Sequence, residues 1–106
     1  MTYKLCIYCP DNELTINKLI EVATLAGAGN QGEYTHCASI YKGEGNFYAS
    51  DNTIPTTGKP GQMNRVKDVK IEMHCPAEKA TKVKEAILKV HPYEEIVLDF
   101  IKLEDL

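Results

Sequence analysis

Residues that could carry out chemistry gather in one short segment, His91-Pro92-Tyr93-Glu94-Glu95. An imidazole beside two carboxylates is a suitable ligand set for a divalent metal ion. The two carboxylates could instead act as general acid and base, because the charge of one raises the pKa of the other. The simpler alternative is a helix stop at Pro92 followed by solvated charges, with His91 as a cation near the negative end of the helix dipole.

Two other histidines are each followed by a cysteine, in His36-Cys37 and His74-Cys75. We expect these segments on adjacent strands, where imidazole and thiolate ligands would suit zinc or copper. Neighbouring residues of a strand point to opposite faces, so one face could supply the two histidines or the two cysteines but not all four. The alternative is a pair of polar residues that face each other across two strands. The candidate metal ligands are therefore His36, His74, His91 and Glu94.

Cysteine and glycine motifs elsewhere are weaker signals. Cys6 and Cys9 have redox spacing but lie in a predicted strand, so we expect free thiols, and we expect Cys9 and Cys75 to pack as small buried apolar groups. Cys9 and Cys75 should lie at opposite ends of two antiparallel strands, too far apart for a disulfide. The run from Gly27 to Gly32 follows a helix instead of preceding one, which favours a helix cap and a turn over a phosphate site. No nucleophile arrangement accompanies these motifs, and we assign no catalytic residue.

Size and charge exclude several classes of protein. With 106 residues and a mass of 11.8 kDa, the chain should form one domain, 1–106, too small for a large cofactor-binding enzyme. Its 12 basic and 15 acidic side chains provide no basic field for a nucleic-acid partner. No apolar run reaches the roughly 20 residues that span a bilayer, and no secretion signal is evident. We therefore expect a soluble, cytoplasmic protein without a membrane partner.

A repeated pattern organises the chain, because the strand-like segment Lys4–Pro10 reappears as Lys70–Pro76. Each copy is followed by a helical pattern and then by another strand. The first helix should begin near Asp11, a good N-cap residue, and end at Gly27. The apolar stripes are Ile16, Leu19, Ile20, Ala23 and Ala26 in the first helix and Ala80, Val83, Ile87 and Val90 in the second.

The remaining elements complete a β-α-β-β-α-β order. Strand two is predicted over about Glu33–Lys42 and strand four over about Glu95–Leu103. Between strands two and three, Gly43–Asn64 is rich in small and polar residues, which predicts a long loop, with Phe47-Tyr48 as a short extra strand. This order predicts a ferredoxin-like α+β split sandwich, with an antiparallel sheet of order 4-1-3-2 and both helices on one face. Apolar residues on both faces of strand four predict self-association through the bare face.

Within this topology, four motifs resemble those of a known family in their order and spacing. The motifs are Gly27–Gly29, Gly32–Cys37, Gly43–Phe47 and His91–Glu95. Together they resemble the small domain inserted in the NIF-three-like, or dinuclear metal centre, proteins, over roughly Leu5 to Leu103. That domain also occurs alone, and its fold is similar to the trimeric PII signalling proteins and the CutA divalent-cation-tolerance proteins. The resemblance therefore implies a homo-oligomer, a trimer, with the long loop near ligand sites between subunits.

The resemblance does not imply hydrolase activity, because the family's two metal ions are bound by flanking lobes that this chain lacks. We expect a non-enzymatic binding or regulatory module that holds a divalent metal ion or a small ligand at the subunit boundary. The alternatives are an enzyme or accessory domain of metal-assisted hydrolysis and a purely structural assembly domain. The long loop and the start of strand four should share one rim of the sheet. The candidate ligand-binding residues are Tyr34, His91, Tyr93, Glu94 and Glu95.

Overall fold

The computed structural model describes residues 1–106 and contains four strands and two α-helices. In chain order the elements are β1 (Thr2–Pro10), α1 (Glu13–Ala26), β2 (Ser39–Ala49), β3 (Gln62–Pro76), a 3-10 turn (Ala77–Lys79), α2 (Ala80–Val90) and β4 (Leu98–Lys102). The sheet has the order β2-β3-β1-β4 with every neighbouring pair antiparallel. This is the order 4-1-3-2 counted from the other edge, so the predicted ferredoxin-like α+β fold is confirmed.

The core lies between the helices and one face of the sheet. Strand alternation places one set of β1 and β3 side chains there, and these are at most 2% exposed: Leu5, Ile7, Cys9, Val69, Ile71, Met73 and Cys75. Cys75 pairs with Tyr3 and Cys9 pairs with Val69, at opposite ends of the two strands. All four cysteines are free. Their predicted role as buried packing groups is therefore confirmed for Cys9 and Cys75.

Both helices turn the predicted apolar stripes toward the core, with the exception of Val90. In α1, Ile16, Leu19 and Ala23 are buried, and in α2, Val83 and Ile87 are buried. Val90 was predicted to belong to this stripe, but it is exposed in the last turn. The stripe of α2 therefore ends one turn earlier than the sequence pattern indicates.

The ends of α1 follow from local hydrogen bonding. Its N-cap is Asn12 rather than the predicted Asp11, because Asn12 Oδ1 accepts the backbone N–H of Thr15 at 3.0 Å. At the other end, Gly27 has a φ of 128°, and a Cβ there would lie 2.8 Å from Cγ of Lys79. A glycine is thus needed at this helix end for both its backbone conformation and its lack of a side chain.

The predicted boundaries of β2 and of the long loop are wrong. β2 begins at Ser39 instead of Glu33 and continues to Ala49, so residues 43–49 are strand. These residues pair with β3 without interruption, including Gly43 with Asp68 and Gly45 with Val66. The true loop is 50–61. The glycine content of this segment predicted a loop. The segment is a strand because it pairs with residues about twenty positions later in the chain, and local composition does not report that pairing.

The paired ends of β2 and β3 extend beyond the rest of the sheet as a two-stranded arm. Pairing of β1 with β3 stops at Asp68, whereas β2 continues to pair with β3 as far as Gln62. Asn64 holds the loop 50–61 against this arm, because its side-chain amide accepts the N–H of Lys59 at 2.9 Å and donates to the carbonyl of Lys59 at 2.8 Å. Asn64 is only 7% exposed. The loop is therefore anchored to the arm at its C-terminal end.

The face of the sheet that turns away from the helices carries no further layer, and we call it the open face. Val97 and Ile101 are about half exposed there, whereas Leu98 and Phe100 pack against the core on the other face. The predicted presence of apolar residues on both faces of strand four is thus confirmed. β4 itself begins at Leu98, later than predicted. Neither α-helix has the length and apolar character needed to cross a membrane.

Candidate ligand-binding site

His91 is a buried structural residue at the end of α2. Its Nε2 lies 2.7 Å from the carbonyl oxygen of Tyr8, and its Nδ1 accepts the backbone N–H of Tyr93 at 3.1 Å. These two partners place the proton on Nε2 and use the lone pair on Nδ1. Burial lowers the pKa of His91, although the bond to Tyr8 and the charge of Asp68 act in the opposite direction.

This geometry corrects two predictions for His91. A neutral ring with both nitrogens hydrogen-bonded is neither a metal ligand nor a cation at the helix dipole. Its contribution is to join the end of α2 to the backbone of β1. The aromatic ring of Tyr93 lies against it, with the ring centroids 5.0 Å apart. His91 therefore fixes the position of the residues that follow it.

Tyr93 is held by a residue that the sequence did not indicate. Its hydroxyl donates to Oδ1 of Asp68 at 2.6 Å. Burial, together with this carboxylate, raises the pKa of Tyr93 well above the usual range of a phenol. Asp68 lies where β3 separates from β1, and alternation along β3 places it on the open face beside Val66 and Lys70. That alternation was the one signal in the sequence that could have indicated it.

The carboxylates after Tyr93 meet the loop 50–61. Oε1 of Glu94 accepts the backbone N–H of Ile54 at 3.1 Å. The hydroxyl of Thr56 donates to the carbonyl of Pro92 at 2.7 Å. The loop and the segment that precedes β4 thus share one rim of the sheet, as predicted. Glu95 is exposed on the same rim.

Together these segments enclose a cavity of about 510 Å³ on the open face, which we call the junction cavity. Four aromatic residues line it: Tyr8, Phe47, Tyr48 and Tyr93. Four carboxylates also line it: Asp68, Glu94, Glu95 and Asp99. Threonines of the loop supply hydroxyl groups at the rim: Thr53, Thr56 and Thr57. Its volume lies within the range of about 300–1,000 Å³ that is typical of small-molecule sites.

Gly45 of β2 leaves part of the floor of this cavity open. Gly45 lines the cavity, and a Cβ built on it would make ordinary contacts at 3.5 Å with Cβ of Asp68. Gly43 lies two residues away on the same face of β2, and a Cβ there would meet no atom within 4 Å. Neither residue has a φ in the left-handed region. The backbone of Gly45 therefore does not require a glycine, and a larger side chain at this position would occupy space in the cavity.

The predicted pair of His36 and His74 is not formed. His36 has a φ of 59° and its Nε2 lies 2.9 Å from Oε2 of Glu21. Nδ1 of His74 lies 3.0 Å from the side-chain nitrogen of Gln31. The prediction placed both histidines on paired strands, but the residues before Ser39 are not strand, so no cross-strand register brings the rings together.

These residues belong to the opposite end of the sheet from the junction cavity. His74 and Cys37 line a second cavity of about 310 Å³ at that end. Tyr34 is 75% exposed and closes a turn with Gln31, so it too lies at the His74 end. His74 pairs with Lys4, four residues before Tyr8, which separates the two ends by about 13 Å along β1.

The candidate residues of the sequence therefore divide into two groups. Tyr93, Glu94 and Glu95 line the junction cavity. His91 does not line it but accepts the backbone N–H of Tyr93 and so holds that residue in place. Tyr34, His36 and His74 do not reach it. No three His, Cys, Asp or Glu side chains of the chain are grouped closely enough to hold a metal ion. Asp68, Tyr8, Asp99 and Gly45 complete the cavity and were missed by the sequence reasoning.

Known proteins are similar to this chain in both sequence and fold. No family model matches the chain. A GTP cyclohydrolase 1 type 2 homolog from Halalkalibacterium halodurans is 36% identical over 101 residues, which cover 95% of this chain and 27% of that protein. A second protein of the same name from Bacillus subtilis is 39% identical over 79 residues, covering 74% of this chain and 21% of that protein. The chain thus spans about a quarter of the length of these curated relatives.

Solved structures of NIF3-related and CutA proteins have folds similar to that of this chain. A Bacillus cereus protein related to NIF3 superposes with a TM-score of 0.78 at 31% identity, covering 98% of this chain and 26% of that one. CutA1 from Pyrococcus horikoshii superposes with a TM-score of 0.71 at 15% identity, covering all of this chain and 86% of that one. At that identity the likeness to CutA1 establishes the fold alone.

Proposed function

We propose that this chain, which is related to one segment of the NIF3-related proteins, is a non-enzymatic binding module. The relationship rests on the identity over 95% of the chain and on the superposition with the Bacillus cereus protein. In this proposal the module binds a small ligand in the junction cavity and associates with further copies of itself. The four free cysteines are compatible with a reducing compartment, and we place the module in the cytoplasm.

The observation that carries the proposal is the junction cavity itself. Five separate segments contribute to it, namely β1, the β2–β3 arm, the loop 50–61, residues 93–97 and β4. Two side-chain to backbone hydrogen bonds hold the loop against the other wall. A concave, largely apolar site with a few converging polar groups is the usual form of a small-molecule site. The cavity also contains the two carboxylates of the sequence motif, Glu94 and Glu95.

The arrangement of polar groups supports binding in preference to catalysis. His91 is engaged at both nitrogens, and the hydroxyl of Tyr93 is bonded to Asp68. His91 and Tyr93 are therefore committed to holding the site together, which leaves the cavity carboxylates as the groups that can contact a ligand. If the ligand is a divalent metal ion, the cavity carboxylates would have to bind it, since none of the three histidines lines the cavity.

We propose a homo-oligomer, a trimer, as the state of the module. The support is the exposed apolar surface of the open face, where Val97, Ile101 and Tyr41 are each about half exposed. Analytical ultracentrifugation should give a mass of three times 11.8 kDa, and Ile101→Lys should shift it toward the monomer. A wild-type monomer at micromolar concentration would contradict this part of the proposal.

An accessory role in metal-assisted hydrolysis is the second candidate. It is favoured by the name of the curated relatives, GTP cyclohydrolase 1 type 2 homolog. This chain corresponds to about a quarter of those proteins. It would serve this role either through its own cavity carboxylates or by docking onto a partner that carries the metal ions. A hydrolase screen with added divalent metals tests whether the chain alone is active. Activity that is lost in Glu94→Gln and Glu95→Gln would favour this candidate.

A ligand screen tests the proposal as a whole. Thermal unfolding is followed with a panel of divalent metals, nucleotides, amino acids and amines, since a ligand of the native state raises the melting temperature by mass action. Gly45→Val should abolish the shift because its side chain enters the cavity, whereas Gly43→Val on the same strand face should retain it. If no compound shifts the wild type, or both variants behave alike, the cavity is not a binding site. The chain would then be a structural assembly domain.

A further inference from the structure

The side chains that line the junction cavity carry negative charge without any positive charge. Asp68, Glu94, Glu95 and Asp99 line it, and no Lys, Arg or His does. The nearest basic group on the same face of β3, Lys70, directs its Nζ to Glu72 at 3.1 Å. A phosphate or carboxylate ligand would therefore find no counter-ion in the cavity, whereas a cation would meet several acceptors.

The carboxylates already engaged inside the protein keep acceptor capacity toward the cavity. Asp68 accepts the hydroxyl of Tyr93 through Oδ1, and Glu94 accepts the N–H of Ile54 through Oε1. Each carboxylate has about four lone-pair positions, so one such bond leaves most of them free. These two bonds also fix the position of the acceptors before a ligand arrives. Asp99 and Glu95 are exposed.

The rest of the lining suits an organic body better than a bare ion. Tyr8, Phe47, Tyr48 and Tyr93 all line the same space, and aromatic faces attract ammonium and guanidinium groups. A bare metal ion requires ligands that converge on one point, and no three candidate ligands do so here. In a volume of about 510 Å³, such an ion would be surrounded mainly by water and not by protein ligands.

We infer that the junction cavity binds a small organic cation, an ammonium or guanidinium compound with a flat or aliphatic body. This inference rests on the proposed function and specifies the ligand class of the same site. The cationic group contacts the carboxylates, and the body lies on the aromatic rings over the floor that Gly45 leaves open. The site rejects phosphate esters and carboxylic acids because every charged group that it presents is acidic.

Two sets of compounds test the ligand class. Within each set the body of the molecule is similar and the terminal group is positive, neutral or negative. Tyramine, tyrosol and 4-hydroxyphenylacetate share one ring and differ in a terminal ammonium, hydroxyl or carboxylate. Butylamine, butanol and butyrate form the aliphatic series. Dissociation constants are measured by NMR titration. We expect the amine of at least one series to bind about tenfold or more tightly than its alcohol, with weaker binding at high salt. The two ligands with a carboxylate, 4-hydroxyphenylacetate and butyrate, should show no binding.

Variants that remove one charge identify the acceptors. Asp99→Asn and Glu95→Gln should each weaken amine binding by about fivefold to tenfold, the effect of one nearby charge at a partly exposed position. Glu44→Gln is the matched control, because it removes the same charge from β2 at an exposed position outside the cavity lining. Binding of tyrosol should be unchanged in all three variants if it is measurable.

The outcomes separate the inference from the proposed function. Amine binding that Gly45→Val removes and Gly43→Val retains supports both. If an alcohol or a carboxylate binds as tightly as its amine, and Gly45→Val removes that binding, the cavity is a site but the cation inference is wrong. Amine binding that persists in Gly45→Val lies elsewhere and also overturns the inference. If neither series nor the wider ligand panel binds, both fail.

Discussion

The two ends of the sheet contain the same kinds of residue in opposite roles. At the junction end, His91 is 8% exposed and both of its ring nitrogens bond to the backbone. At the other end, His36 and His74 are exposed and their rings contact polar side chains, namely Glu21 and Thr35 for His36 and Gln31 for His74. Histidine alone therefore does not indicate a metal or catalytic site. Burial and the backbone partners decide what the ring does.

The difference also explains why a cavity with fixed walls forms at the junction end. Tyr93, Glu94 and Pro92 are each hydrogen-bonded to residues distant in the sequence, namely Asp68, Ile54 and Thr56. The other end is held by a turn, by the backbone bonds of Gly29 to His74 and Cys37, and by exposed side-chain pairs. A ligand that binds at the junction meets groups already held in place, which reduces the entropy lost on binding.

The strongest test of this comparison replaces His91. His91→Ala should lower the free energy of unfolding by about 3 kcal/mol, because it leaves the carbonyl of Tyr8 without its partner and opens a cavity. His74→Ala, the matched variant at the other end, should change it by less than about 0.5 kcal/mol. Urea unfolding measures both values. Equal losses of unfolding free energy in the two variants would show that the histidines at the two ends of the sheet contribute equally to stability.

The next largest effect is expected at the bond between Tyr93 and Asp68. Tyr93→Phe removes a partly buried hydrogen bond to a carboxylate and should cost about 2 kcal/mol. Tyr34→Phe removes an exposed hydroxyl and should cost almost nothing. The same urea experiment compares the two. A loss below about 0.5 kcal/mol for Tyr93→Phe would mean that this bond does not hold the cavity wall.

The pH dependence of stability gives a smaller and more specific effect. Because burial lowers the pKa of His91, the unfolded chain binds a proton at this residue before the native chain does. The contribution of His91 is complete above the unfolded-state pKa of about 6.5 and is lost as the pH falls through its native pKa. Stability measured from pH 7 downward should therefore fall less steeply in His91→Gln than in the wild type. Parallel curves would rule out this contribution.

The smallest effect is expected at the exposed pair of Glu21 and His36. Both side chains are about half exposed, at 52% and 48%, and such pairs contribute little. Glu21→Gln should change the free energy of unfolding by less than about 0.5 kcal/mol and should leave ligand binding unchanged. A larger loss in stability would assign this end of the sheet a structural role that its exposure does not indicate.

Local sequence patterns predicted the fold but not the partners of the site residues. Alternation in Lys4–Pro10 and Lys70–Pro76 predicted the two central strands and their buried faces, because burial imposes a period of two. The position of Glu94 and Glu95 on one rim with the loop was also predicted. The bond of His91 to Tyr8 joins residues 83 positions apart, and no local pattern reports it. Asp68 was missed for the same reason, since its partner Tyr93 lies 25 positions later.

The measurement that tests the account most directly is an NMR map of the backbone amides during titration with tyramine. The expected result is a set of shifts confined to the junction cavity, at residues such as Gly45, Thr56 and Tyr93, with the amides of Gln31 and His74 unchanged. The Gly45→Val protein should show no shifts at these positions, and the Gly43→Val protein should respond like the wild type. Shifts concentrated at the His74 end, or shifts that Gly45→Val leaves intact, would contradict the assignment of the junction cavity as the binding site.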